Sequence, residues 1–311
     1  TRGNPLNTVT TQDGTTRFAY VDRRLAKVSG PWGEESYEYD TDGRLSKHTR
    51  LIAGRSFTTA YRYDKQNRVA RYRTASGEWL ARQYSDKGAL TSIAIDGLLR
   101  DRTLIGTLDD RGALSPLGDL ELGNALTQNT TFDERGRLRI RRLHGIADLR
   151  YHYDEANRLV RVDEGDRQHT YEYDAANRLI AATEPGRTYR YQYDSNGNRI
   201  STRQERILTR STDTPPATHT YTSRSNRLLP IKRGSEDIQY DAAGSLLRIA
   251  NRRYEYDGSG RPIRLLVNDR LTAEYTYNAW GERIRKIIHT PAGTRTTLYV
   301  YEQHRLVAEA D

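Results

Sequence analysis

The chain has 311 residues, with 50 Lys and Arg against 41 Asp and Glu for a net charge of +9, and it contains 22 Tyr but no Cys. The missing Cys excludes disulfides, thiolate metal sites and a cysteine nucleophile, and no stretch of 18 apolar residues is present to form a membrane-spanning helix. A mean hydropathy of −0.89 is polar for one thick core, so aromatic side chains must supply much of the buried area.

Along the chain, short aromatic-acidic runs end three residues later in Gly or Asn. Tyr37-Glu-Tyr39-Asp40 runs to Gly43 and Tyr61-Arg-Tyr63-Asp64 to Asn67. Further on, Tyr151-His-Tyr153-Asp154 runs to Asn157, Tyr171-Glu-Tyr173-Asp174 to Asn177 and Tyr191-Gln-Tyr193-Asp194 to Gly197. Toward the end come Tyr240-Asp241 with Gly244, Tyr254-Glu-Tyr256-Asp257 with Gly260, and Tyr275-Thr-Tyr277 with Gly281. With the copy at Tyr84 and the decayed copies at Leu108, Phe132 and Thr222 this makes twelve, at steps of 16 to 29 residues. Recurrence at this period marks a repeat array.

The spacing inside a copy follows from turn chemistry. An Asp ending a strand accepts backbone N–H groups just ahead, and the residue three places on takes positive φ, which Gly and Asn do most cheaply. Arg-Leu or a close variant then starts the next extended run, so each copy predicts a β-hairpin. The two Tyr of a Tyr-x-Tyr strand lie two apart and share one sheet face. Tyr37, Tyr39, Tyr61, Tyr63, Tyr151, Tyr153, Tyr171, Tyr173, Tyr191, Tyr193, Tyr254, Tyr256, Tyr275 and Tyr277 therefore predict a tyrosine ladder stacked across neighbouring strands.

Tyr193-Asp194-Ser-Asn-Gly197-Asn198-Arg199-Ile200 reproduces in full the motif of the YD-repeat, or Rhs-repeat, family, and the chain resembles that family from about Phe18 to Ala308. The resemblance implies an all-β array of antiparallel hairpins coiling into a spiralling sheet that forms part of a hollow shell around a C-terminal toxin or effector domain. It also implies partners: the remaining repeats and the toxin domain of the same polypeptide, and a secretion-system spike or toxin-complex component. The protein would then be a secreted or delivered bacterial protein. Members of the family also carry a self-cleavage region with an Asp-Pro-x-Gly motif. No such motif occurs here, so no catalytic residue transfers.

The array is expected to be one continuous unit over 1–311, a piece of a longer chain, with 202–220 as a loop excursion around Pro215-Pro216. Arg outnumbers Lys 44 to 6, and seven of the twelve copies place Arg directly after the Gly or Asn. Such regular placement favours pairing with strand Asp and Glu or stacking on Tyr rings over a nucleic-acid groove. The seven His form no metal or nucleophile-base pattern, and no phosphate-cradling loop occurs. The expectation is a non-catalytic shell segment without cofactor or metal. An extracellular carbohydrate-binding or adhesion module is the alternative.

Overall fold

The computed structural model describes residues 7–11, 14–96, 102–107, 114–115, 118–206, 217–221, 228–229 and 238–311. Every regular element among them is a β-strand, and every strand pairing is antiparallel. This is the all-β hairpin array expected from the repeat. The copies at Leu108 and Thr222 lie outside the described residues.

The chain forms two compact units. The first comprises residues 1–82, 94–101 and 237–311, and the second 83–93 and 102–236. In the first, a meander runs through Thr8–Thr11, Gly14–Val21, Arg24–Gly30, Gly33–Tyr39, Leu45–Ile52, Arg55–Tyr63 and Val69–Arg73, each strand paired to the next. Eight strands from Gln239–Tyr240 to Arg305–Ala310 make a second sheet. The two sheets pack on each other through Ile52, Phe57, Ile284, Leu298 and Val300, all buried, with Trp32 and Ala308 at the margin. Burying such side chains contributes roughly 1.5–3 kcal/mol each.

The second unit is a meander without an apolar cluster of this kind among its described residues. Its strands Leu138–Leu143, Ala147–Tyr153, Leu159–Glu164, Arg167–Tyr173, Leu179–Glu184, Arg187–Tyr193 and Arg199–Arg206 pair in sequence. Few of its side chains are fully buried; Leu120, Gln128, Ala181 and Thr188 are among them. Of the stretch 202–220, residues 202–206 continue the strand Arg199–Arg206, and Ala217–Thr218 pairs back onto it, so these parts are sheet instead of loop. Residues 207–216 lie outside the described residues.

The turn explains the regular break in register. In each Tyr-x-Tyr hairpin the pairing shifts between the middle residue and the second Tyr, as at His152/Tyr153, Glu172/Tyr173 and Gln192/Tyr193. The second Tyr then faces the apolar residue after the turn, Leu159 for Tyr153 and Leu179 for Tyr173. The extra residue turns the strand and adds local twist. Asn157 and Asn177 sit at φ of 64° and 61°, in the left-handed region. We expect Asn177→Gly to be neutral or mildly stabilising and Asn177→Val to cost about 1–2 kcal/mol from backbone strain. Urea melts of the two variants check this; equal stabilities would rule out the turn as the source of strain.

Candidate functional site

Each repeat turn is organised around its Asp. Asp174 Oδ1 accepts the backbone N–H of Ala176 at 2.9 Å and of Arg178 at 2.9 Å, while Oδ2 takes Arg178 Nε at 2.7 Å. Asp40, Asp64 and Asp257 repeat the full pattern, and Asp154 the two bonds from its Arg. Asp194 uses Asn198, and Asp241 the backbone of Ser245. Gly43, Asn67, Gly197, Gly244 and Gly260 hold the positive-φ place of their turns, as Asn157 and Asn177 do. The backbone N–H of the Arg leads in holding the Asp154 and Asp174 carboxyls below the usual range, outweighing desolvation, with the guanidinium adding to it.

The same Arg reaches forward. Arg158 stacks over the Tyr173 ring with 5.2 Å to the centroid, and its NH1 donates to the Asp174 carbonyl at 3.2 Å and to Asn177 Oδ1 at 3.0 Å. Arg44 lies over Tyr63, Arg137 over Tyr153, Arg178 over Tyr193 and Arg261 over Tyr277. The second Tyr reaches back. The Tyr173 hydroxyl donates to the Leu159 carbonyl of the preceding copy at 2.8 Å, as Tyr39 does to Leu25, Tyr63 to Leu45, Tyr153 to Leu138, Tyr193 to Leu179, Tyr256 to Leu246 and Tyr277 to Pro262.

This relay replaces the stacked ladder expected from the sequence. Successive copies stand two strands apart, about 9.5 Å, which exceeds the reach of ring-on-ring contact. A guanidinium fills the interval. Among the described residues the one Tyr-on-Tyr ring pair is Tyr61 with Tyr72, at 5.5 Å between centroids. Of the first tyrosines, Tyr191 and Tyr275 lie under Arg199 and Arg283, whereas Tyr151, Tyr171 and Tyr254 are half-buried on their strands. Tyr37 and Tyr61 enter a different arrangement.

That arrangement is a buried polar clasp between the two sheets of the first unit, none of whose members is a turn residue of the strict motif. Glu35, 4% exposed, accepts the Tyr37 hydroxyl at 2.7 Å, His48 Nε2 at 3.0 Å, Asn278 Nδ2 at 2.9 Å and Trp280 Nε1 at 3.3 Å. Arg50 NH2 donates to His48 Nδ1 at 2.6 Å, which assigns the ring proton to Nε2, the atom facing Glu35. Arg50 and the Tyr61 hydroxyl both donate to Glu302, as does the Thr59 hydroxyl at 2.6 Å. Tyr37 stacks on His48 at 4.3 Å. Asn278 occupies the place of a turn Asp and pairs with Glu282, where other copies have Arg. That swap, legible as Tyr277-Asn278-Ala-Trp280-Gly281-Glu282, was the signal in the sequence.

Burial pushes the Glu35 carboxyl up, but the bonds donated by His48, Tyr37 and Asn278 more than reverse it, to about 2. Burial first, and the neighbouring carboxylates second, push the Tyr37 and Tyr61 hydroxyls up, so both stay protonated donors. The clasp is buried, and no His, Asp and Glu cluster fit for a metal occurs among the described residues.

A carboxyl with a folded value of about 2 against an ordinary 4.5 contributes stability that is fully present above the ordinary value and is lost as pH falls through the folded one. The difference amounts to about 3 kcal/mol. We expect acid unfolding to steepen below pH about 4.5, and Glu35→Gln to flatten that limb while lowering stability at pH 7 by roughly 3–5 kcal/mol, because its amide opposes donors. Chemical melts from pH 7 to 2 measure both. In a separate variant, Tyr173→Phe should cost about 1 kcal/mol through the lost bond to Leu159, read by the same melts.

Residues 160–308 match the Teneurin YD-shell family. No curated protein sequence matches the chain. Among solved structures, the Photorhabdus luminescens Tc holotoxin pore is 17% identical, with a TM-score of 0.76 over 91% of this chain and 17% of that one. The TcdB2-TccC3 complex is 17% identical, with a TM-score of 0.77 over 93% of this chain and 19% of that one. A form of that complex without its hypervariable C-terminal region gives 0.73 at 17% identity over 94% and 19%. The chain thus spans about a fifth of the length of the solved chains it resembles. The Asp-Arg-Tyr relay repeated in both units, the match of 160–308 to a YD-shell family and this likeness of fold are together consistent with a YD/Rhs-repeat array and support a structural, shell-type role.

Proposed function

We propose that the chain is a wall segment of a shell that encloses a C-terminal toxin or effector domain of its own polypeptide, exported with it from a bacterium. The observation that carries this reading is the clasp. Within the first unit the last hairpins return to the early ones and are sealed to them by buried polar bonds and an apolar cluster. A wall that has to hold a cargo needs such a seal, because an open strip leaves strand edges and an unpartnered face. The likeness in fold to toxin-complex structures supports the same reading. The partners are the remaining repeats, the enclosed domain and a delivery component of the toxin-complex or secretion-spike type, and the turn Asp residues serve as turn acceptors.

The test is protease protection of the terminal domain in the intact parent protein, compared with a parent lacking residues 1–311. Protection lost on deletion is expected. An equally protected terminal domain in both proteins overturns encapsulation, and saturable glycan binding in that case would favour adhesion.

A further inference from the structure

Beyond the wall, the first unit holds a cleft of about 460 Å³, within the roughly 300–1,000 Å³ of small-ligand sites. Its lining includes Phe18, Trp32 and Ile263 on the apolar side and Arg264, Glu274 and Arg285 on the polar side. The three arginines of its wall differ in their commitments. Arg261 is paired with Asp257 at 2.6 Å, and Arg264 with Glu255 at 3.3 Å and Glu274 at 3.8 Å. Arg285 has no carboxylate within ion-pair distance among the described residues. Its Nε donates to Thr276 Oγ1 at 3.1 Å, which fixes the guanidinium plane and leaves both terminal amino groups without a partner among the described residues.

A half-buried, oriented guanidinium is the usual receptor for a planar two-oxygen anion, bound by two parallel N–H···O bonds. Arg285 also lines a second cavity of about 230 Å³, shared with Trp32, Thr276 and Ile52, so the cation sits where two hollows meet. Glu274, the acid of the lining nearest in kind to a competitor, is already taken by His289 at 2.9 Å and by Arg264. Phe18, Trp32 and Ile263 supply apolar surface in the same cleft. We propose that this cleft binds a small organic carboxylate with a flat apolar body, its carboxylate on Arg285 and its body against Trp32 and Phe18. Such a ligand touches both sheets of the first unit and is independent of whether the array encloses a cargo.

The experiment titrates phenylacetate and indole-3-acetate into the chain, followed by tryptophan fluorescence and ligand-observed NMR, against phenylacetamide, indole-3-acetamide and inorganic phosphate. Saturable binding of the acids is expected, with the amides and phosphate weaker by about tenfold or more, since each lacks one half of the recognition. Arg285→Gln should abolish the preference for acid over amide. Ile263→Phe, which fills the cleft and leaves Arg285 in place, should weaken both acids, so a misfolded Arg285→Gln does not decide the matter. Equal binding of acid and amide, phosphate binding as tight as phenylacetate, or acids unaffected by Ile263→Phe would overturn the assignment.

Discussion

The relay from Asp through Arg to Tyr is the interaction on which the array depends. A sheet without a second layer has no common centre, so each hairpin must be fixed by its neighbours in sequence. Backbone ladders define pairing and spacing but leave the turns of successive hairpins unlinked. The Arg after the turn supplies that link, because one guanidinium binds its own Asp, covers the next Tyr ring and bonds the next turn at once. An ammonium offers no planar face and no fork, which accounts for Arg at this place where Lys would carry the same charge. The hydroxyl of the next Tyr closes the link backward on the carbonyl of the residue after the preceding turn. Relay and bulge are thus one device: the shift in register aligns the second Tyr with the residue that follows the turn.

Where a second layer is present, the same positions are put to another use. Tyr37 and Tyr61, first tyrosines of their copies, turn their hydroxyls to the buried carboxylates of Glu35 and Glu302. Taking two carboxylates out of water is costly, and a buried ion pair seldom adds net stability over an apolar replacement. Breaking one partner away from the others is far more costly. The clasp therefore contributes geometry more than energy: Ile52, Phe57, Leu298 and Val300 supply the attraction, and only one alignment of the sheets satisfies Glu35, Arg50 and Glu302 together.

The repeat was legible because it is local. Turn Asp, positive-φ Asn or Gly and Tyr-x-Tyr spacing are set within about ten residues, and Asn157 and Asn177 stand where that chemistry puts them. The ladder was misread because sequence gives the face of a side chain but not the distance across strands, which leaves room for Arg158 over Tyr173. The clasp was not legible, since Glu35 and Asn278 meet across 243 positions and nothing local in Glu34-Glu35-Ser36 marks one Glu as buried. Only the departures of the copy at Asn278 hinted at it, and a departure reads as decay until its partner is known.

That copy also shows what a repeat loses by specialising. With Asn278 for Asp and Glu282 for Arg, the forward reach of the guanidinium is gone from this turn. The amide keeps the turn, because its Oδ1 still accepts the N–H groups of Trp280 and Glu282, while its Nδ2 becomes a donor that an Asp could not provide. Glu35 needs that donor. A carboxylate at 278 would face Glu35 inside the clasp and leave two like charges buried together, whereas Asn satisfies both the turn and the buried acid with one side chain. The exchange of charge for amide at this single turn is therefore what lets a generic hairpin end as the seal between two sheets.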